Sequence, residues 1–200
     1  ANSMDREKFG SSFFNTQPGA EFLIFCRTPF WDDARNLVEV DEIPADAVRW
    51  RCADFGHTVF WWFYEHSGRV VAYDRVDFED TPSQAIAQLI KDHENRSDWH
   101  KVKDSHGRLR PAKCAGGYGD PAAKDAISNL RSGGISLMKA DNDYDGGKDT
   151  VRHALQHGKL VFQKRPSVLE GVEHLKKYAN LKGADGKPRE GFPDKNQGHD

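Results

Sequence analysis

Two aspartates stand where a carboxylate is easiest to hold rigidly. Asp54 closes the run Val48-Arg49-Trp50-Arg51-Cys52-Ala53-Asp54 and precedes Phe55-Gly56, and Asp120 closes residues 111–120 just before Pro121-Ala122-Ala123. Each follows a strand-like run and precedes a break or a helix start. Carboxylates at neighbouring strand ends of one sheet supply hard oxygen ligands suited to Mg²⁺ or Mn²⁺, and a pair of such ions is what two-metal phosphodiester hydrolysis requires. Taken singly, Asp54 reads equally as a strand-end or turn residue. Asp120 reads as a helix N-cap, a role compatible with being a ligand.

The elements that must position them follow from periodicity and turn chemistry. Residues 1–22, rich in Gly, Ser and Asn, read as a linker, and 21–26 as a short strand; 27–47 read as loop around Pro29 and Pro44. A strand is predicted over 48–54. The aromatic run 59–64 is a second, and Ser67-Gly68 turns it into a third over 69–78. Thr81 and Pro82 then open a helix with Ala85, Ile86, Leu89 and Ile90 on one face. Residues 92–110 read as a polar loop. Helices follow at 121–131, 148–157 and 168–180, the last with a Leu169, Val172, Leu175, Tyr178 stripe, separated by strands at 135–138 and 160–162. The tail from Lys182 reads as mobile. Three antiparallel strands followed by alternating helices and strands describe an α/β fold, a mixed central sheet with helices on both faces.

A chain of 200 residues is long enough for one sizeable core. Its apolar fraction, 37%, is low, but 11% aromatic residues argue against wholesale disorder. No apolar run nears the ~20 residues of a membrane span, and the polar N-terminus does not resemble a signal peptide. Three cysteines without CxxC spacing suit a reducing compartment. Net charge is −2, unevenly spread: residues 148–200 carry 11 Lys and Arg against 7 Asp and Glu, and the rest 18 against 24. A basic last third fits a polyanion gripped on one side, and equally a Lys-rich helix surface.

Competing motifs fail on their chemistry. Asp141-Asn142-Asp143-Tyr144-Asp145-Gly146 starts like an EF-hand loop, but its twelfth position is Arg152 instead of Glu, so it reads as an acidic loop leading into a helix. His153 and His157 share a helix face without the Glu of a zinc protease, and no phosphate-binding Walker motif is present. His57 reads as a turn residue close to Asp54.

In this order of elements, Arg51-Cys52-Ala53-Asp54-Phe55-Gly56 and Tyr118-Gly119-Asp120-Pro121-Ala122 resemble the first- and fourth-strand motifs of the C-terminal nuclease domain of tailed-bacteriophage large terminases, in the ribonuclease-H-like (RuvC-like) superfamily. The resemblance spans roughly residues 20–200. The closing segment, Glu190 to His199-Asp200, is similar to the approach to the family's third acidic motif. The third ligand is therefore Asp200 or a residue past it. The resemblance implies a domain over 23–200, with the packaging ATPase absent from this chain, and a metal-dependent endonuclease that cuts double-stranded DNA concatemers during genome packaging. It implies Asp54, Asp120 and Asp200 as catalytic metal ligands for two Mg²⁺ or Mn²⁺ ions. Lys139, Arg152, Lys159, Lys164 and Arg165 are candidate DNA-backbone contacts, and Lys176 and Lys177 are further basic positions. Expected partners are DNA, the ATPase domain, the portal protein and the small terminase subunit, in the host cytoplasm and with no membrane. A structure-selective nuclease or junction resolvase, or a silent DNA- or protein-binding module, is the alternative.

Overall fold

The signals between Val48 and Asp77 produce the elements they encode: strand, aromatic strand, glycine turn, strand. A computed structural model describes residues 24–27, 29–55, 58–141, 143–182 and 184–193. Along the chain its elements are α1 (Asp33–Asn36), β1 (Leu37–Val38), β2 (Val48–Asp54), β3 (Val59–His66), β4 (Arg69–Asp77), α2 (Ser83–Arg96), a 3₁₀ turn (Asp98–His100), β5 (Lys101–Lys103) and β6 (Leu109–Pro111). Next come β7 (Cys114–Gly119), α3 (Lys124–Ser132), β8 (Met138–Lys139), α4 (Tyr144–Gln156), β9 (Leu160–Gln163), α5 (Pro166–Lys177), β10 (Asn180–Lys182) and β11 (Pro188–Pro193). The chain divides into two units, Val40–Asn142 and the pairing of Ala1–Glu39 with Asp143–Asp200.

In the Val40–Asn142 unit the strand order is β4-β3-β2-β7-β8, with β2-β3-β4 antiparallel and β2-β7-β8 parallel. This is the mixed sheet expected of the ribonuclease-H-like class. Ser67 and Gly68, both at positive φ, make the β3–β4 turn, a conformation that hairpin twist favours. One face of the sheet buries Phe60, Trp62 and Tyr64, and α2 buries Ile86, Ala87 and Ile90. Arg49 and Arg51 lie on that same inner face, buried because each finds acceptors there. Arg49 donates to the Trp99 and Lys101 carbonyls, and Arg51 pairs with Glu94 at 3.1 Å. The other face carries the half-buried Trp50, stacked on Phe63 across the β2–β3 pair.

Gly117 lets β7 close on β2. A Cβ there would lie 2.6 Å from the Arg51 carbonyl oxygen, the Arg51 Cγ and Leu137 Cδ2. Gly117→Ala is expected to destabilise the protein by about 1–3 kcal/mol through overpacking, read as a lowered denaturation midpoint in urea.

The second unit pairs β1 with β9 in parallel, Leu37 opposite Phe162. Buried Asn36 donates to the Leu155 and Leu160 carbonyls, and Trp31 packs on Phe162. The helices α4 and α5 contact β9.

Several local expectations are corrected. Of the strand expected over 21–26, residues 21–23 lie outside the described residues and 24–26 form bends, with the Ile24 N–H donating to the Tyr178 carbonyl. Thr81 does not cap α2: its hydroxyl donates to the Glu79 carbonyl, Pro82 occupies the cap position, and Ala85 and Leu89 are exposed while Ala87 is buried. Residues 92–110 are not one loop. α2 runs on to Arg96, and β5 and β6 pair as a hairpin whose turn is organised by Asp104, which accepts from the His106 and Arg108 N–H groups and from the Arg108 and Arg110 side chains. Of residues 135–138 only Met138 lies in a strand, with Ile135 and Leu137 buried ahead of it. α4 starts four residues earlier than expected because Asp143 caps it, accepting from the Gly146 N–H. Beyond Lys182, Pro188–Pro193 forms β11 and pairs with β10, and residues 194–200 lie outside the described residues. No helix among the described residues is long and apolar enough to cross a membrane.

Candidate active site

β2 and β7 run side by side with Ala53 paired to Gly119, so the next residue on each strand, Asp54 and Asp120, leaves the same end of the sheet at the same level. Adjacent strands are about 4.8 Å apart, which places the two backbones within the span of one metal site. Both aspartates are exposed. β8 extends the arrangement: Lys139 is paired with Gly119, and the Ala140 N–H donates to the Gly119 carbonyl at 2.9 Å. An exposed cation therefore stands beside Asp120 on its far side.

Asp120 is held by its own turn. Its Oδ1 accepts the Ala122 N–H at 2.8 Å and its carbonyl the Ala123 N–H at 3.1 Å, an Asx-turn that fixes the carboxylate against the chain. It is not the cap of α3, which begins at Lys124 behind Ala123 with no side-chain cap. Gly119 permits the close approach of Phe55, whose Cε2 would lie 2.9 Å from a Cβ there. Two oxygen-donor side chains at a sheet end fit a hard divalent cation.

Two residues before Asp54, Cys52 is half-buried between Trp61 and Tyr118 on the flanking strands. Burial pushes its thiol up to about 11, against a smaller opposing effect from a Tyr118 backbone hydrogen bond. Little thiolate forms at neutral pH, so Cys52 in the folded protein is expected to resist iodoacetamide at pH 8 and to react with a midpoint near pH 11, read by peptide mass spectrometry. In urea it should alkylate like an ordinary cysteine.

The remaining basic candidates belong to the other unit. Lys159 is exposed just after α4, Lys164 is exposed with its Nζ 3.3 Å from Glu39, and Arg165 is half-buried at the start of α5. Lys176 pairs with Asp33 and Glu173. Arg152 differs from its sequence reading: it is 9% exposed, donates from Nε to the Ile24 carbonyl, and lies over the Phe30 ring. Its guanidinium is taken up in packing, which removes it from the candidate DNA contacts. Asp200 and His57 lie outside the described residues.

A separate group goes unread in the sequence because its members are dispersed along the chain. Asp74, His93 and His100 bring one ligand atom each within 4.8 Å of one another, and they are the one such group among the described residues. Such a set can hold a divalent metal. Burial lowers the proton affinity of His100, an effect partly offset by its hydrogen bond to Asp74.

No family model matches the chain, and no curated protein matches it. Solved structures do. The large terminase of a thermophilic bacteriophage, in complex with ATP-γ-S, superposes with a TM-score of 0.69 at 17% identity over 100% of this chain and 50% of that one. The nuclease domain of bacteriophage SPP1 large terminase, solved with bound Mn, gives 0.54 at 12% over 82% of this chain and 88% of that one, and that of P22 gives 0.55 at 11% over 84% and 86%. The fold is that of the large-terminase nuclease domains. The chain spans about half the length of the thermophilic-phage terminase it matches.

Proposed function

We propose that this chain is the nuclease portion of a large terminase, a metal-dependent endonuclease that cuts double-stranded viral DNA concatemers during genome packaging. The observation that carries the reading is the Ala53–Gly119 pairing, which sends Asp54 and Asp120 from one sheet end. The fold and the Mn bound by the SPP1 nuclease domain support it. On this reading residues 23–200 form the nuclease domain behind a 1–22 linker, and the ATPase domain lies in the part of the terminase this chain does not span. The portal protein and the small subunit are partners by family resemblance, and the site of action is the host cytoplasm.

Asp54 and Asp120 would hold Mg²⁺ or Mn²⁺, completed by Asp200 or a residue past it. Asp141, which follows Ala140 at the same sheet end, adds a further carboxylate there. Two bound ions would supply the Lewis acidity that activates a water and stabilises the leaving oxygen. The chain's own part is to fix the carboxylates: β2 and β7 set their spacing and the Ala122 N–H restrains Asp120. Lys139 would neutralise a DNA phosphate, with Lys159, Lys164 and Arg165 as further candidate backbone contacts. Such contacts are indifferent to sequence and weaken with salt.

Nicking of supercoiled plasmid with Mn²⁺ or Mg²⁺, by wild type and by the Asp54→Ala and Asp120→Ala proteins, tests the proposal. Cleavage by wild type alone supports it, and equal cleavage by all three would sink the site. Preference for branched over linear duplex would transfer the reading to a junction resolvase. No cleavage at any metal concentration would leave a DNA- or protein-binding module.

A further inference from the structure

β4 contains a bulge. Trp62 of β3 pairs with Asp74 and Phe63 with Ala72, so Tyr73 is the extra residue between them. In a regular strand consecutive side chains point to opposite faces. The bulge overrides that alternation and re-aims a side chain, so Tyr73 and Asp74, both buried, reach the same imidazole. The Tyr73 hydroxyl is 3.2 Å from His100 Nδ1, and Asp74 Oδ2 is 2.9 Å from His100 Nε2. The same Oδ2 is 2.8 Å from Nε2 of His93, one α2 turn from the helix end. Asp74 Oδ1 accepts the Arg75 N–H, which leaves Oδ2 as the oxygen directed at both rings.

We infer that Asp74, His93 and His100 form a zinc-type divalent metal site, distinct from the carboxylate pair at the end of β2 and β7. Two imidazole nitrogens and one carboxylate oxygen are a donor set for Zn²⁺, where Mg²⁺ prefers oxygen alone. Zinc bonds of about 2.0–2.1 Å put neighbouring tetrahedral ligands about 3.3 Å apart, so the Asp74 oxygen at 2.8 and 2.9 Å from the two ring nitrogens needs to draw back by only about half an ångström. The outer groups also match a metal centre. The Tyr73 hydroxyl lies 3.2 Å from His100 Nδ1, so once a metal takes Nε2 the ring proton can sit on Nδ1 and be held by the Tyr73 oxygen, the kind of outer support that ligating histidines use.

An entry path exists as well. The His93 side chain is 30% exposed, so one ligand of the set is open to solvent, and His100 borders a cleft of about 130 Å³. Trp62 lies against both imidazoles, with ring centroids 5.3 and 5.2 Å away. By strand register Asp74 is two strands across from Arg51 and three residues short of the Asp54 level, about 14 Å from Asp54 and about 17 Å from Asp120.

The test uses the 200-residue chain, stripped with a chelator and reloaded with one equivalent of Zn²⁺ or Co²⁺. The expected result is one Zn²⁺ per chain retained through gel filtration in excess Mg²⁺, a Co²⁺ form with the strong visible absorption of a tetrahedral imidazole site, and a melting temperature raised by several degrees. His93→Ala, at the most exposed ligand, should lose all three while keeping its far-ultraviolet dichroism; Asp54→Ala and Asp120→Ala should keep them. A wild type that binds no stoichiometric zinc overturns the site, as does a pale octahedral Co²⁺ spectrum. So would full binding by His93→Ala, or loss confined to the Asp54 and Asp120 variants. The Co²⁺ spectrum is read on wild type, so the outcome stands even if a variant fails to fold.

Discussion

Asp54→Asn and Asp120→Asn are expected to lose Mn²⁺-dependent nicking almost completely while melting within a degree or two of wild type. Metal-ion catalysis contributes several kcal/mol, so loss of a charged ligand should cut the rate by about 10²-fold or more. The two positions separate when changed to alanine. Asn at 120 keeps an oxygen for the Ala122 N–H, whereas Ala does not, because that bond is made by the side chain at 2.8 Å. Asp120→Ala should therefore cost about 0.5–1.5 kcal/mol of stability in addition to activity, measured by urea denaturation beside the nicking assay. Lys139→Ala should behave differently again, weakening DNA binding and its salt dependence while leaving the melting temperature unchanged. If Asp54→Asn or Asp120→Asn keeps wild-type cleavage, the sheet-end carboxylates are turn residues and no more.

Trp62→Ala is expected to destabilise the protein by about 3–5 kcal/mol, the range for truncating a large buried aromatic. At about 2–4 °C per kcal/mol for a chain of this size, that is a fall of about 6–20 °C in melting temperature. Trp62 is 1% exposed, its Nε1 donates to Glu94 at 2.8 Å, and its ring packs against Phe60, His93 and His100. Trp62→Phe keeps most of the ring and loses the indole donor. Glu94 retains Arg51 at 3.1 Å, so this change should cost about 1–2 kcal/mol. Thermal denaturation of the three proteins checks the order. Equal melting of Trp62→Ala and wild type would remove Trp62 from the core.

The sequence reads well where local signals and tertiary environment agree. Val48–Asp54 is bounded by its own composition, and Ser67-Gly68 can make only a tight turn; both elements form there. Asp54 and Asp120 are legible as strand ends, but their pairing depends on register between strands far apart in sequence, which no local pattern encodes. The polar stretch 92–110 misleads because charged composition reads as loop, although Asp104 and Gly107 spell a turn between two short strands. Arg152 looks like a surface cation, since nothing local tells that a guanidinium will be buried against a distant carbonyl. The Asp74 group is invisible for a related reason. It depends on a bulge at Tyr73, and a bulge breaks the alternation from which facing is inferred.

The neighbours of β2 differ in how far the chain must travel to reach them. β3 follows it only a few residues later in the chain, whereas β7 arrives only after β4, α2 and the β5–β6 hairpin have been laid down. Closing that longer loop costs more entropy, and contacts distant in sequence form slowly. The meander can therefore assemble early, while the carboxylate pair exists only once β7 docks. A partly synthesised or partly folded chain carries Asp54 without Asp120 beside it, so on the proposed reading the metal site stays incomplete until β7 has docked.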